Sequence, residues 1–192
     1  MRITGGSARA ILLSCPKKST VRPTTDAIRL AIFSALAAAG RDCRGAHFVD
    51  LFAGVGSYGL EAMSRGAGSG IFVERDRDCC KAIQKNLAAV CRAARCDQKS
   101  FSIRCRNAFS LVATDGPDLL FCDPPYELLR QEPTRYIELL ARHLCAASPG
   151  AVAILEFPSD LEITLPEPLR QLKTINRSGG RDSPCALFIG VS

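Results

Sequence analysis

Along most of this chain, apolar residues alternate between short runs and helical spacing, a pattern that predicts strands and helices in turn. From residue 46 onward, runs of about five apolar residues are separated by stretches in which apolar residues recur every three or four positions. The predicted strands are His47–Leu51, Gly70–Val73, Phe101–Cys105, Leu119–Cys122 and Ala151–Phe157. The predicted helices are Ser57–Arg65, Asp78–Ala94 and Pro133–Ala147. This order predicts an α/β fold with a parallel sheet covered on both faces.

The two ends of the chain follow other patterns. Residues 1–23 are predicted to be extended, with a hairpin turn at Gly5-Gly6. Thr24 or Thr25 suits the N-cap of a helix that Gly40 ends. The C-terminal part alternates apolar stretches with turn residues, which predicts further strands at Glu162–Leu165, Leu172–Ile175 and Ala186–Val191.

Length and composition indicate an ordinary globular protein. A chain of 192 residues that is 47% apolar and 23% charged fits one domain with a sizeable core. It has no apolar run that could span a bilayer and no signal-peptide pattern at residues 1–6, so we expect a cytoplasmic protein, by default a monomer. Ten cysteines without a CxxC pair, beside two histidines, favour free buried thiols over a metal site.

Positive charge is concentrated at the N-terminus. The net charge is +6, and residues 1–30 hold six basic side chains against one acidic side chain. Residues 1–24 are therefore predicted to form a basic arm that contacts nucleic-acid phosphates, with the main domain at residues 25–192. The same charges could instead face solvent. The candidate RNA-binding residues are Arg2, Arg9, Lys17, Lys18 and Arg22.

A glycine-rich bend follows the first predicted strand. Gly54, Gly56 and Gly59 form a GxGxxG pattern, which lets the backbone turn tightly and approach a ligand. The pattern alone also fits a nicotinamide dinucleotide. Asp50, just before the bend, would repel a pyrophosphate but suits the ammonium group of S-adenosylmethionine.

Further polar residues follow the next strands. Glu74 ends the second strand 20 residues after Gly54, where its carboxylate could accept both ribose hydroxyls of either cofactor. Asn107 could accept from an adenine amine, although a plain turn asparagine is the alternative. Ala108 or Phe109 could contact the ring, or pack in the core. The candidate cofactor residues are Asp50, Phe52, Ala53, Gly54, Gly56, Glu74, Asn107 and Ala108.

The sequence Asp-Pro-Pro-Tyr at residues 123–126 suits a pocket for a planar amine. Asp123 can accept a hydrogen bond from an NH2 group, and prolines lack an N–H while keeping a carbonyl acceptor. An aromatic ring such as that of Tyr126 can stack on a nucleobase. The alternative is an ordinary turn. The candidate catalytic residues are Asp123, Pro124, Pro125 and Tyr126.

Taken together, these motifs resemble those of the bacterial 16S rRNA guanine-N2 methyltransferase family. The shared segments are Arg2-Ile3-Thr4-Gly5-Gly6, Arg22-Pro23-Thr24-Thr25-Asp26 with Arg29 and Phe33, residues 50–56, Leu60-Glu61-Ala62, Ser64-Arg65-Gly66-Ala67, Phe72-Val73-Glu74 and Asp123-Pro124-Pro125-Tyr126. Many amino-methylating enzymes share the glycine bend and the Asp-Pro-Pro-Tyr sequence. The N-terminal Arg-Pro-Thr-Thr-Asp segment is much more specific.

The resemblance implies a class I methyltransferase fold of the Rossmann-like type: a seven-stranded, mostly parallel sheet with an antiparallel last strand, preceded by a small β-hairpin. It implies S-adenosylmethionine as methyl donor and a guanine N2 amine as acceptor. The expected partner is 16S rRNA or an assembling small ribosomal subunit. It also places Arg22, Thr24 and Thr25 near the cofactor and substrate. The chain departs from the family at Asn107, where aspartate is usual, and in the C-terminal turn at residues 179–185.

Three other functions are compatible with parts of the sequence. The Asp-Pro-Pro-Tyr sequence also suits adenine-N6 methylation, although the chain is small for a sequence-specific DNA enzyme. A cytosine-C5 enzyme would need a cysteine nucleophile, for which Cys122 and Cys185 are the candidates, both expected to be structural. A non-catalytic nucleic-acid-binding module with a nucleotide fold is the third alternative.

Overall fold

A computed structural model describes residues 1–16, 25–113, 116–176 and 180–192. Lys17, Lys18, Arg22 and Thr24 lie outside the described residues, so their predicted contacts remain predictions, as does the domain boundary at residue 24. No helix within the described ranges combines the length and the apolar character needed to cross a bilayer.

The core of the molecule is a seven-stranded sheet. Its strands are β1 (His47–Leu51), β2 (Ser69–Glu74), β3 (Phe101–Cys105), β4 (Leu119–Cys122), β5 (Val152–Pro158), β6 (Leu169–Ile175) and β7 (Pro184–Val191). They lie in the order β3-β2-β1-β4-β5-β7-β6. Strands β1 to β5 are parallel, and β7 is antiparallel to both β5 and β6. The predicted sheet with an antiparallel last strand is confirmed.

Helices cover both faces of the sheet. They are α1 (Asp26–Ala38), α2 (Ser57–Ser64), α3 (Arg77–Ala94), α4 (Tyr126–Gln131) and α5 (Pro133–Cys145). One core cluster joins α1, α2 and α3 to one face of the sheet, and a second joins α4 and α5 to the other face. Thr25 is the N-cap of α1, where its side chain accepts from the Ile28 N–H. The strand order changes direction between β1 and β4, and at such a point parallel sheets bind ligands at the carboxyl ends of their strands.

The N-terminal hairpin packs on the same face as α2. Ile3 and Ile11 pair through an N–H···O bond of 3.0 Å, and Arg2 and Leu12 form an antiparallel bridge. Ile3 is fully buried in the core beside α1 and α2. The predicted hairpin is therefore present in the structure, and it is part of the folded core.

A buried ionic network holds the hairpin against α1 and α2. Both carboxylate oxygens of Glu61, which is fully buried, accept hydrogen bonds from Thr4, at 2.7 Å each. Arg29, also fully buried, approaches Glu61 Oε2 to 3.4 Å, and Arg65 approaches Oε1 to 2.8 Å. Ser64 Oγ donates to the Gly5 carbonyl at 2.6 Å. Two separate segments of the family resemblance, residues 2–6 and 60–67, thus touch each other.

Three local predictions differ from the structure. No strand forms at Glu162–Leu165; the chain there is irregular, and its alternating apolar residues pack on the α5 side of the core without a strand partner. Strand β6 begins at Leu169, three residues before the predicted start. Helix α4 is absent from the predicted elements, because its 6 residues are too few to show a helical period, although most of them are good helix formers.

Candidate active site

The glycine bend connects β1 to α2 through unusual backbone angles. Phe52 has a φ of 58°, a region that non-glycine residues seldom adopt. Gly56 has a φ of 86° at the N-cap of α2, where a larger residue would be strained. A Cβ added to Gly59 would lie 2.3 Å from Phe72 Cε1, so this glycine permits close packing of α2 on the sheet. The bend is thus fixed by the packing around it.

Asp50 lies at the end of β1 beneath this bend. Only 1% of its surface is exposed, and its Oδ2 accepts from the Gly59 N–H at 2.9 Å. Burial raises the pKa of Asp50 to about 8 against the opposing effect of that hydrogen bond, and the negative charges of Asp123 and Glu74 add to the increase. Asp50 therefore accepts from the first turn of α2 and also lies within the electrostatic range of two other carboxylates.

Glu74 connects the end of β2 to the bend. Its Oε2 accepts from the Gly54 N–H at 2.8 Å, and its Oε1 accepts from the Asp76 N–H at 2.8 Å. Each carboxylate oxygen keeps further acceptor capacity, because a carboxylate has about four lone-pair sites. Glu74 is therefore held in one orientation beside the glycine bend and can still receive hydroxyl donors.

Asn107 and its neighbours form the wall beyond β3. Asn107 is the N-cap of a short 3-10 helix at Ala108–Ser110, and its Oδ1 accepts from the Phe109 N–H at 3.1 Å. The Phe109 ring lies 5.7 Å from the Phe52 ring and 5.1 Å from the Tyr136 ring. Ala108 is buried in the core. Asn107 therefore has the turn role that was the alternative to adenine binding. Its contact with an adenine remains a prediction.

The Asp-Pro-Pro-Tyr segment leads from β4 directly into α4. Asp123 is half-buried, Pro124 is buried and Pro125 is exposed. The Pro125 carbonyl accepts from the N–H groups of Leu128 and Leu129 at 3.0 Å each, so it is used to start α4. Among the hydrogen bonds of the described ranges, none ends on the Pro124 carbonyl. Of the two proline carbonyls, that of Pro124 is therefore the one suited to receive a substrate N–H.

Glu156, on β5, is a site residue that the sequence analysis missed. It is 4% exposed, and the Tyr126 hydroxyl donates to its Oε1 at 3.0 Å. The Tyr58 hydroxyl donates to its Oε2. The Tyr58 ring stacks on Phe121 at 5.4 Å. A glutamate inside the otherwise apolar run at residues 151–157 was the signal that could have identified it.

Helix α4 is also held from its far end. Arg130 pairs with Asp160 at 2.7 Å and with Asp182 at 2.6 Å, and Arg181 pairs with Asp160 at 2.8 Å. Asp182 and Arg181 belong to the C-terminal turn in which the chain departs from the family pattern. That turn therefore stabilises the helix that begins at Tyr126.

The structure brings some predicted residues together and separates others. One edge of the sheet, at or just beyond the carboxyl ends of β1 to β4, holds the predicted residues Asp50, Phe52, Ala53, Gly54, Gly56, Glu74, Asn107 and Asp123. Arg2 and Arg9 lie in the hairpin, and Arg2 approaches Asp26 to 3.4 Å. Within the described ranges, no three His, Cys, Asp or Glu side chains are grouped as ligands of a metal ion.

The candidate cysteine nucleophiles are both buried. Cys122 is 1% exposed, and burial, followed by the charge of Asp123, raises its pKa well above the usual value for a thiol. Cys185 is 2% exposed on β7. A thiol buried in this way is a poor source of thiolate, which opposes the cytosine-C5 alternative.

The strand order, the antiparallel β7 and the glycine bend at the carboxyl edge together define the class I methyltransferase fold. A solved Escherichia coli structure, yhhF, described as a candidate methyltransferase, superimposes on this chain with a TM-score of 0.78 and 28% sequence identity. That comparison covers 100% of this chain and 97% of the other.

Residues 1–183 match the family described as conserved hypothetical protein 95, and the chain belongs to that family. Over 130 residues it is 37% identical to ribosomal RNA small subunit methyltransferase D of Escherichia coli. That match covers 66% of this chain and 60% of the Escherichia coli protein. It is 30% identical to YlbH of Bacillus subtilis, described as a candidate rRNA methyltransferase, over 90% of this chain and 89% of that protein.

Proposed function

We propose that this protein transfers a methyl group from S-adenosylmethionine to the exocyclic N2 amine of a guanine in 16S rRNA. The observation that carries the proposal is the placement of Asp123, with the Asp-Pro-Pro-Tyr segment, beside Asp50 and Glu74 at the switch point of the sheet. The names of the relatives support rRNA as the substrate class.

The residues of the bend fit a cationic nucleoside better than a dinucleotide. Asp50, Glu74 and Asp123 place three carboxylates close enough for their charges to interact. Such a site attracts a sulfonium and an ammonium group, whose binding favours the ionised form of Asp50, and it repels a pyrophosphate. When bound, S-adenosylmethionine would supply an electrophilic methyl group. Asp50 would face its ammonium group, and Glu74 would accept its ribose hydroxyls. The adenine would lie between Asn107, Ala108 and Phe52, with Thr25 nearby.

Asp123 and Pro124 would orient the accepting amine. The lone pair of guanine N2 is delocalised into the ring, so the nitrogen must be aligned for an in-line transfer. The Asp123 carboxylate accepts one N–H and the Pro124 carbonyl accepts the other. Both acceptors would stabilise the positive charge that develops on nitrogen as the methyl carbon bonds to N2 and its bond to the donor sulfur breaks, the electron pair leaving on the thioether. The proton then leaves this nitrogen, which has become acidic, towards Asp123 or solvent.

The direct test is methyl transfer from labelled S-adenosylmethionine to 16S rRNA and, in parallel, to duplex DNA. We expect label in the rRNA alone, with N2-methylguanine as the modified base by mass mapping. Label in adenine would favour the adenine-N6 alternative. A protein that binds S-adenosylmethionine in calorimetry but methylates neither nucleic acid would contradict the proposal.

The pH dependence of cofactor binding should report on Asp50. Because its pKa is raised to about 8, Asp50 is protonated in the free protein below that pH. A cation bound beside it favours the carboxylate, so binding should release a proton and become tighter as the pH rises towards about 8. Calorimetry in two buffers of different ionisation enthalpy measures this release. The Asp50→Asn variant is the control, since it cannot release this proton; equal release by both proteins would refute the assignment.

Glu156 should act by holding Tyr126. A lost hydrogen bond to a buried carboxylate costs about 1.5–3 kcal/mol, so Tyr126→Phe should lower kcat about tenfold or more. Glu156→Gln keeps one carbonyl acceptor for two tyrosine hydroxyls, so its loss should be the same or smaller. The double variant should lose little more than the worse single variant, because the two residues act as one unit. Tyr136→Phe, which changes a hydroxyl not bonded to Glu156, is the matched control. Additive losses in the double variant would exclude this role.

A further inference from the structure

Helix α3 and strand β3 carry a concentration of positive charge that the N-terminal arm does not account for. Residues 75–106 contain nine basic and three acidic side chains, whereas residues 107–192 contain seven basic and eleven acidic side chains. The nine basic residues, which we call the basic surface, are all exposed: Arg75, Arg77, Lys81, Lys85, Arg92, Arg95, Lys99, Arg104 and Arg106. Residues 75–106 are therefore strongly positive, whereas the part of the chain after them carries a net negative charge.

The basic residues of α3 share one face of the helix. At about 100° per residue, Arg77, Lys81, Lys85 and Arg92 fall within an arc of about 80°. The opposite face of the helix, with Ile83 and Val90, is buried in the core. A helix of 18 residues is about 27 Å long, so the charges form a stripe and not a point.

The acidic residues of this stretch neutralise one member of the stripe, Lys81, and within the described ranges leave Arg77, Lys85 and Arg92 without an ion pair. Asp76 caps α3 by accepting from the N–H groups of Asp78 and Cys79, and Asp97 accepts from the Lys99 N–H at 2.9 Å. Asp78 pairs with Lys81 at 2.8 Å. Among the residues that the structure describes, this is the one ion pair that a residue of the basic surface forms. The exposed face of α5, by contrast, carries Glu138 between two arginines. A face this strongly of one sign repels itself and favours an anionic partner.

The basic surface adjoins both the candidate active site and the N-terminal segment. Arg75 directly follows Glu74, and Arg106 directly precedes Asn107, at the carboxyl edge of the sheet. Strand β3 is one of the two edge strands of the sheet, and its Arg104 is exposed. Ser14, just before residues 17–24, bonds to Asn86 of α3 through its N–H at 2.8 Å and its carbonyl at 3.1 Å.

We propose that the basic surface binds the phosphate backbone of the RNA whose base enters the site at Asp123, an inference that rests on the proposed function. Its charge, its length and its start beside the candidate site fit several consecutive phosphates. The contacts are to the backbone, so they hold the RNA in register and carry no base specificity. Residues 1–16 of the arm, which contact α3 through Ser14, and the basic surface then act on the same RNA from adjoining positions.

The test compares two triple variants with the same loss of charge. The first is Lys81→Gln, Lys85→Gln and Arg92→Gln, which keeps good helix formers on α3. The second, the control, is Arg44→Gln, Arg170→Gln and Lys173→Gln, at exposed positions outside the basic surface. Binding of a 16S rRNA fragment is measured from 50 to 200 mM salt, and S-adenosylmethionine binding is measured by calorimetry as a check of folding.

Each lost phosphate contact lowers the slope of log K against log salt by about 0.7 to 0.9. The α3 triple variant should therefore lose about 2 to 3 from this slope, while the control keeps the slope of the unmodified protein and both bind S-adenosylmethionine normally. An unchanged slope in the α3 variant, or an equal loss in the control, would overturn the inference. If the unmodified protein methylates rRNA and the α3 variant keeps the salt slope, the basic surface does not bind the RNA and the proposed function stands. If the α3 variant has a reduced salt slope but the unmodified protein does not methylate rRNA, the proposed function is wrong and the RNA contact of the basic surface stands.

Discussion

Replacing Asp123 by alanine should lower methyl transfer to 16S rRNA by about 100- to 1000-fold, the usual effect of removing one group that stabilises developing charge in a transition state. The variant should still bind S-adenosylmethionine, because Asp50, Glu74 and the glycine bend are unaltered. Single-turnover kinetics would place the loss in the chemical step, and calorimetry would confirm that the cofactor still binds.

Two further variants sharpen this experiment. Asp123→Asn keeps one carbonyl acceptor but loses the charge, so its rate should lie between those of the alanine variant and the unmodified protein. Glu127→Ala removes an exposed carboxylate in the same segment and should keep nearly full activity. Near-normal turnover by Asp123→Ala would remove this residue from the reaction.

Replacing Glu61 by alanine should destabilise the protein by about 3–5 kcal/mol, because Arg29 would be left fully buried beside an empty position. For a domain of this size, the loss corresponds to a fall in Tm of roughly 6–20 °C. Urea denaturation gives the free energy of unfolding, and a thermal melt gives the Tm.

Glu138→Ala on α5 is the matched control for this stability measurement. Glu138 is exposed, so its loss should change the free energy of unfolding by about 0.5 kcal/mol or less. Glu61→Gln should lie between the two, since it keeps an acceptor for Thr4 but not the charge that faces two arginines. If Glu61→Ala were as stable as Glu138→Ala, the network would not hold the hairpin.

The sequence was sufficient to predict most of the sheet, because buried parallel strands are continuous apolar runs separated by clear helical spacing. Strands β1, β3 and β4 have their predicted bounds. The strand predicted at Glu162–Leu165 does not form, because apolar and polar residues alternate there for another reason. Leu161, Ile163 and Leu165 alternate because an extended chain lies on the core, and periodicity cannot distinguish such a chain from a strand.

In the candidate site, residues that follow strands could be predicted, while contacts between distant segments could not. Asp50, Glu74 and Asp123 are recognisable because each ends a predicted strand. Tyr58 is separated from Glu156 by 98 positions, and nothing local relates the two. The charge of α3 is visible in the sequence, but the balance of the whole chain conceals it, because eleven of the nineteen acidic residues lie after residue 106.

The three tyrosines give this molecule a built-in optical probe. The chain has no tryptophan, so its near-ultraviolet emission comes from tyrosine. Tyr58 and Tyr126 both bond to Glu156, and Tyr136 packs against Phe52 and Phe109 beside the glycine bend. Every emitting ring therefore borders the proposed reaction centre, and ligands arriving there can be followed by fluorescence without any attached dye.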